Sequence, residues 1–187
     1  MSAPDIVSED IRRARAEADC LYTGEEVEAA ADRMAADITA RLREANPLML
    51  VTMTGGLFPA ALLLARLDFP LQVDYVHLTR YGAATSGGRI EWRRRPAASV
   101  AGRTVLLVDD LLDHGLTLAA AVEELKKEGA REVLTAVLVV KRIADRPGLQ
   151  QVDFHALETP DRYLFGAGMD YKTYWRNCAG IYAVKGL

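Results

Sequence analysis

The sequence is poor in the residues that build covalent or metal staples. Its two cysteines, Cys20 and Cys178, lie far apart and its three histidines are scattered, so neither a disulfide framework nor a zinc constellation can be drawn. An excess of one charge is also missing. The 23 basic and 26 acidic side chains leave a net charge of −3, which gives no footprint for a nucleic-acid partner. The start, MSAPDIVSEDIRRARAEAD, lacks the basic-then-apolar layout of a secretory signal. One uncharged run stands out, residues 47–65, PLMLVTMTGGLFPAALLLA, and its length is marginal for a membrane span. Gly55-Gly56 and Pro59 interrupt it near the middle. A strand over 48–53, a glycine turn and a helix over 57–67 therefore explain it better. These absences lead to the expectation of a soluble chain in a reducing, cytoplasmic setting, with no membrane and no nucleic-acid partner.

The most informative stretch that is present runs from Thr104 to Ala119, TVLLVDDLLDHGLTLA. The apolar residues 104–108 read as a buried strand that ends abruptly at Asp109-Asp110. A loop with Asp113 and Gly115 follows, and Thr117 is expected to open a helix over 117–128. That helix carries Leu118, Ala121, Val122 and Leu125 at helical spacing, with Gly129 where a C-cap belongs. Backbone N–H groups of such a loop and first helical turn converge on one point and bind phosphate. Carboxylates beside it can hold hydroxyls or a hard cation such as Mg²⁺.

The rest of the chain is organised around the same plan. A short helix is expected over about 8–20. Thr23 and Glu26 form a capping box for a helix that carries Val27, Ala31, Met34, Ile38 and Leu42 on one face and ends near Ala45. Two strand–helix–strand units follow, one over 48–53, 57–67 and 73–78, the other over 104–108, 117–128 and 132–140. This alternation predicts an α/β fold with a parallel sheet and helices on both faces. Residues 79–98 are too long and too polar for a plain connection and read as a mobile flap or extended hairpin over a site. Ligands of such sheets bind beyond the carboxyl ends of the strands. Three loops of unusual composition lie there: Thr54-Gly55-Gly56, the acidic loop, and Lys141-Arg142.

Two of these segments resemble a known family. Val105 to Val108, Asp109, Asp110, Leu111, Leu112, Asp113, Gly115 and Thr117 match the 5-phosphoribosyl 1-pyrophosphate signature of type I phosphoribosyltransferases. Pro160-Asp161-Arg162-Tyr163-Leu164-Phe165-Gly166-Ala167-Gly168-Met169-Asp170-Tyr171, then Arg176-Asn177, is similar to the C-terminal signature of the hypoxanthine-guanine branch. The likeness spans about residues 48–184. It implies a type I phosphoribosyltransferase fold, a five-stranded parallel sheet flanked by helices, with a hood from both chain ends and a flexible flap. The chain would be one domain, 1–187, with its core over about 46–145 and its hood over about 1–25 and 146–187.

The implied activity is purine salvage. Hypoxanthine or guanine and 5-phosphoribosyl 1-pyrophosphate give IMP or GMP and pyrophosphate, with Mg²⁺ required and a homodimer or homotetramer as the assembly. Carried over by position, Asp109 and Asp110 would hold the ribose hydroxyls, directly or through Mg²⁺, and Asp113 would serve purine N7 as acid/base. Asp113, His114, Gly115, Leu116 and Thr117 would wrap the 5′-phosphate. Thr54, Gly55, Arg80, Tyr81 and Arg176 would meet the pyrophosphate, with an unusual cis peptide at the Thr54-Gly55 turn. Lys141 would donate to the 6-oxo group, Tyr163 would stack on the base, and the Leu164 backbone would read its edge. Asp109, Asp110 and Asp170 would be the metal-facing carboxylates.

This chain departs from the family pattern at three positions: Thr54 where many relatives carry Lys or Arg, Arg80 where Ser is usual, and His114 where Thr is commoner. Two other readings stay open, a regulatory protein that kept the fold and lost catalysis, and a transferase for xanthine or another base. The presence of all of Asp109, Asp110, Asp113, Asp170 and Arg176 favours an enzyme.

Overall fold

The uncharged run near residue 55 is divided between a strand and a helix. In the computed structural model, which describes residues 7–81 and 89–186, the helices are α1 (Glu9–Glu17), α2 (Gly24–Leu42), α3 (Leu57–Leu64) and α4 (Leu116–Lys127). The strands are β1 (Asp19–Tyr22), β2 (Leu48–Thr52), β3 (Gln72–Tyr81), β4 (Arg89–Arg94), β5 (Thr104–Leu112), β6 (Glu132–Lys141), β7 (Phe154–Thr159), β8 (Leu164–Phe165) and β9 (Ile181–Ala183). No helix among the described residues is long and apolar enough to cross a membrane.

The main sheet has the order β4-β3-β2-β5-β6-β7. Its strands from β3 to β7 in that order are parallel, and β4 pairs antiparallel with β3. Side chains alternate across a strand, and the core divides accordingly. Met49, Val51, Leu106 and Val108 face α2 and α3 through Met34, Ile38, Leu42, Ala60 and Leu63. Leu48, Leu50, Val105 and Leu107 face α4 through Leu118, Ala121 and Leu125. The helices thus cover both faces, as the alternation of strand and helix predicts.

Local signals held where they were chemical. Glu26 N donates to Thr23 Oγ1 at 3.2 Å and Thr23 N donates to Glu26 Oε2 at 2.8 Å, the reciprocal cap. α2 nevertheless stops at Leu42, three residues before Ala45, and Asn46 adopts a φ of 46°. Likewise α3 stops at Leu64 rather than at residue 67.

Long-range pairing overrides the sequence reading elsewhere. The helix expected over 8–20 ends at Glu17, because Asp19–Tyr22 pair antiparallel with β9 instead. With β8 they make a second, three-stranded sheet, β1-β9-β8, from the two ends of the chain. The stretch 79–98 is an extended hairpin at its base: β3 runs to Tyr81, and Tyr81 pairs with Arg89. The tip expected to close over the site, 82–88, lies outside the described residues.

Leu107 has no exposed surface and sits at the centre of the α4 face. Leu107→Ala is expected to lower unfolding free energy by about 2–5 kcal/mol, the range for a large-to-small change in a close-packed core. Glu123→Ala, at an exposed ion pair with Lys127, should stay within about 0.5 kcal/mol. Urea unfolding midpoints of the two variants check this.

Candidate active site

Strands of unequal length create the site. β2 pairs with β5 only as far as Val51↔Val108, whereas β5 continues along β6 to Leu112↔Val140. The acidic pair therefore lies on a strand rather than in a loop, which corrects the expected strand end at residue 108. Beyond Val108 one edge of β5 faces the turn that follows β2, and this is the crevice at the carboxyl ends of a parallel sheet. A cavity of about 380 Å³ opens there, lined by Thr52 to Gly55, Asp109 to Leu111, Asp113 to Leu118, Asp170 and Arg176. A second cavity of about 240 Å³ adjoins it, sharing Asp110, Leu111, Asp113 and Asp170 and adding Lys141, Tyr163, Leu164 and Met169.

The first cavity is closed at its base by Thr52 and Asp109. Thr52 Oγ1 lies 3.0 Å from the Val108 carbonyl and also within hydrogen-bond distance of Asp109 Oδ1. A threonine hydroxyl carries one proton, so it donates to only one of these. Burial, and then the neighbouring Asp110 charge, raise the Asp109 pKa well above the ordinary carboxylate value, against the hydrogen bond from Thr52. Burial also raises Asp110, which Arg176 and a hydrogen bond partly offset. Gly55 lies so close to Asp110 that a Cβ there would sit 2.1 Å from Oδ2. The peptide before Thr54, Met53–Thr54, is cis.

On the far wall, Arg176 Nη2 lies 2.5 Å from Asp170 Oδ1, and Nη1 lies 3.7 Å from Asp110 Oδ2. Thr173 N donates to Asp170 Oδ2 at 2.7 Å, so both Asp170 oxygens already have partners. The expected metal-facing carboxylate and pyrophosphate clamp are thus paired with each other. Among the described residues no group of three or more His, Cys, Asp or Glu side chains is arranged as a metal cage.

The acidic loop turns sharply into α4. Gly115 has φ +73°, which favours glycine, and the helix begins at Leu116, one residue before the expected Thr117. Asp113 Oδ1 lies 3.3 Å from Lys141 Nζ, and Asp113 Oδ2 lies 3.3 Å from His114 Nδ1. The Lys141 contact has ion-pair distance without hydrogen-bond geometry, so Asp113 Oδ1 is buried with no hydrogen-bond partner. Lys141 is 8% exposed and also lies 3.3 Å from Asp161 Oδ1. Tyr163 is 44% exposed and meets Tyr171 edge to face, with centroids 5.7 Å apart.

Of the residues singled out in sequence, Thr54, Gly55, Asp109, Asp110, Asp113 to Thr117, Asp170 and Arg176 line the first cavity, and Lys141, Tyr163 and Leu164 line the second. Arg80 and Tyr81 end β3; the contacts expected of their side chains fall outside what is described. Thr52 and Asp161 were missed as functional positions. Asp161 stood inside the quoted C-terminal segment, where its distance from Lys141 in sequence hid the pairing. Thr52 fell inside the apolar strand expected over 48–53, and only the sheet register brings it to Asp109.

Comparison with known proteins gives a concordant picture. Residues 17–173 match the family described as phosphoribosyl transferase domain. The hypoxanthine-guanine phosphoribosyltransferase of Bacillus subtilis (strain 168) is 29% identical over 166 residues, 88% of this chain and 92% of that protein. The hypoxanthine-guanine-xanthine phosphoribosyltransferase of Tritrichomonas foetus is 28% identical over 165 residues, 88% of this chain and 90% of that protein. A solved hypoxanthine phosphoribosyltransferase from Staphylococcus aureus has the same fold, with a TM-score of 0.84 at 21% identity over 89% of this chain and 91% of that one. With the family match running through β5, the acidic loop and the Tyr163 wall, the chain belongs to the phosphoribosyltransferase family.

Proposed function

We propose that this chain is a purine-salvage phosphoribosyltransferase that transfers 5-phosphoribose from its pyrophosphate donor to N9 of hypoxanthine or guanine. The observation that carries the reading is the Asp113–Lys141 pair, 3.3 Å apart, in which Asp113 lines both cavities and Lys141 lines the second, beside Tyr163. A carboxylate able to move a proton and an ammonium able to donate to an oxo group match the ring nitrogen N7 and the oxo oxygen O6 that a 6-oxopurine presents side by side. The names of the Bacillus and Tritrichomonas relatives support the same substrate class.

In this reading Asp109 and Asp110 hold the ribose hydroxyls. The backbone of Asp113 to Thr117 takes the 5′-phosphate, and Thr54, Gly55 and Arg176 receive the leaving pyrophosphate, with Arg80 and Tyr81 closing from β3. Tyr163 stacks on the base, the Leu164 backbone reads its edge, and Asp113 exchanges a proton with N7. Carboxylates whose pKa values are raised by burial first, and then by a neighbouring carboxylate charge (Asp110 acting on Asp109, Asp170 on Asp110), suit a hard cation, and Asp109, Asp110 and Asp170 are the oxygen donors available to Mg²⁺. Without a protein cage, substrate oxygens and water would complete its coordination. Bound there, Mg²⁺ would neutralise the pyrophosphate as it leaves.

Self-association fits one further feature. Leu57 and Leu64 on α3 and Val73 and Tyr75 on β3 are 56%, 41%, 50% and 38% exposed around one apolar hollow. A clustered apolar face of this kind favours a homodimer or homotetramer. Two free thiols, Cys20 and Cys178, suit the reducing cytoplasmic setting included in the proposal.

The test is nucleotide formation from hypoxanthine, guanine, xanthine and adenine with the donor and Mg²⁺. Product from the 6-oxopurines but not adenine is expected. No product from any base would overturn the reading in favour of a non-catalytic protein. The xanthine arm is included because the Tritrichomonas relative's name includes that base.

Specificity for the oxo group should rest on Lys141. Lys141→Ala is expected to lower kcat/KM for hypoxanthine and guanine by about 10- to 150-fold, the roughly 1.5–3 kcal/mol of a hydrogen bond to a charged group. Donor affinity should change little. Lys141→Gln should lose less, since an amide still donates. An unchanged hypoxanthine-to-adenine ratio in the alanine variant would mean that the base is read elsewhere.

A further inference from the structure

Arg146 follows β6, at the position where the C-terminal part of the hood is expected to start. It is 8% exposed, and its guanidinium spends its hydrogen bonds on backbone carbonyls. Nε donates to Asp113 O at 2.5 Å, Nη2 to Lys141 O at 2.5 Å and Nη1 to Gln150 O at 2.7 Å. The next residues grip the same loop: Gly148 N donates to His114 O at 2.9 Å and Leu149 N to Gly115 O at 3.1 Å. The contact is close, since a Cβ on Gly148 would lie 2.3 Å from the Gly115 carbonyl carbon.

The carbonyls of three consecutive residues, 113, 114 and 115, are therefore held by one hook, residues 146–149. In a trans peptide the C=O and the following N–H point in opposite directions. The N–H groups of His114, Gly115 and Leu116 consequently turn away from the hook, and these three residues line the 380 Å³ cavity. Among the described residues none of the three finds a backbone acceptor. Successive N–H groups aimed at one point form an anion nest, and a buried guanidinium behind them adds positive potential. The Nη2 bond reaches past the loop to the Lys141 carbonyl, at the end of β6.

We infer that Arg146 is a positioning residue that aims the N–H groups of His114, Gly115 and Leu116 at the 5′-phosphate and ties that loop to the base-reading Lys141. The inference rests on the transferase reading above. It predicts a selective loss: the 5′-phosphate subsite depends on the hook, whereas the pyrophosphate subsite at Thr54, Gly55 and Arg176 does not.

The experiment measures binding of ribose 5-phosphate and, separately, inorganic pyrophosphate with Mg²⁺ by calorimetry, in wild type, Arg146→Met and Arg146→Lys. Methionine keeps much of the apolar stem and removes every donor; lysine restores one charged donor. Melting curves establish that each variant is folded at the titration temperature. Arg146→Met is expected to weaken ribose 5-phosphate about tenfold or more, the loss attached to a hydrogen bond with a charged group. Arg146→Lys should recover part of this, and pyrophosphate affinity should be unchanged. If the methionine variant does not fold, the lysine variant carries the same comparison. Unchanged ribose 5-phosphate affinity overturns the positioning role. So does equal weakening of both ligands, or failure of both variants to fold, since the contact would then be merely structural. A wild-type protein that binds neither ligand overturns the transferase reading itself.

Discussion

Asp113→Asn is expected to lower kcat by about 10²–10⁴-fold, the usual contribution of a positioned acid/base group, with donor affinity held within a few-fold of wild type. The amide is close in size to the carboxyl, and the features that shape the loop do not depend on the side chain. Gly115 supplies the positive φ, and the Asp113 main-chain carbonyl, not its carboxyl, is gripped by Arg146. The carboxyl itself faces Lys141 and His114 on the boundary of the two cavities. An asparagine can still accept a hydrogen bond there but cannot take up a proton in the transition state. Single-turnover rates with saturating donor and base would measure the chemical step, and donor binding would be measured alongside. A kcat within a few-fold of wild type would reduce Asp113 to a former of the loop.

Removal of Mg²⁺ is expected to abolish measurable turnover, and restoring the ion should return it in full. The donor brings a pyrophosphate to a cavity whose wall already holds Asp109, Asp110 and Asp170. Two of these carboxylates have raised pKa values, with burial the first cause and a neighbouring charge a further one, Asp110 for Asp109 and Asp170 for Asp110. Two like charges about 4 Å apart repel by about 4 kcal/mol at an effective dielectric of about 20, which is roughly a 10³-fold penalty. Arg176 offsets part of this but is already shared between Asp110 and Asp170. Initial rates in excess chelator test the dependence. A second readout, the rise in melting temperature on adding donor with and without Mg²⁺, separates loss of binding from loss of chemistry. Full turnover in excess chelator would remove the metal from the proposed mechanism.

Much of the molecule was legible in sequence because its signals are local. The uncharged run 47–65 resolves into β2, a glycine turn and α3 because Gly55, Gly56 and Pro59 are poor interior residues for one long helix. The Thr23 capping box acts over three residues. The apolar spacing after Thr117 names the face of α4 that packs on the sheet. The acidic loop and the C-terminal segment carried a family likeness because their chemistry is written in contiguous residues.

Other features were decided at long range. Asp19–Tyr22 follow a short helix without a break in pattern, and they become β1 only because Ile181–Ala183 offer an edge more than 150 residues away. Asp109 and Asp110 belong to β5 rather than to a loop because β6 is long enough to pair with it beyond the end of β2. The Lys141–Asp161 pair, the sharing of Arg176 between two carboxylates and the grip of Arg146 on three carbonyls all join residues from different loops. Residue type and spacing by themselves determined the two strand–helix–strand units, the apolar faces of α2 and α4, and which loop carries the donor signature of the family. The tertiary structure alone decided where strands end, which charges neutralise one another and which buried arginine holds the loop, because pairing and desolvation depend on neighbours in space that a periodic pattern along the chain does not encode.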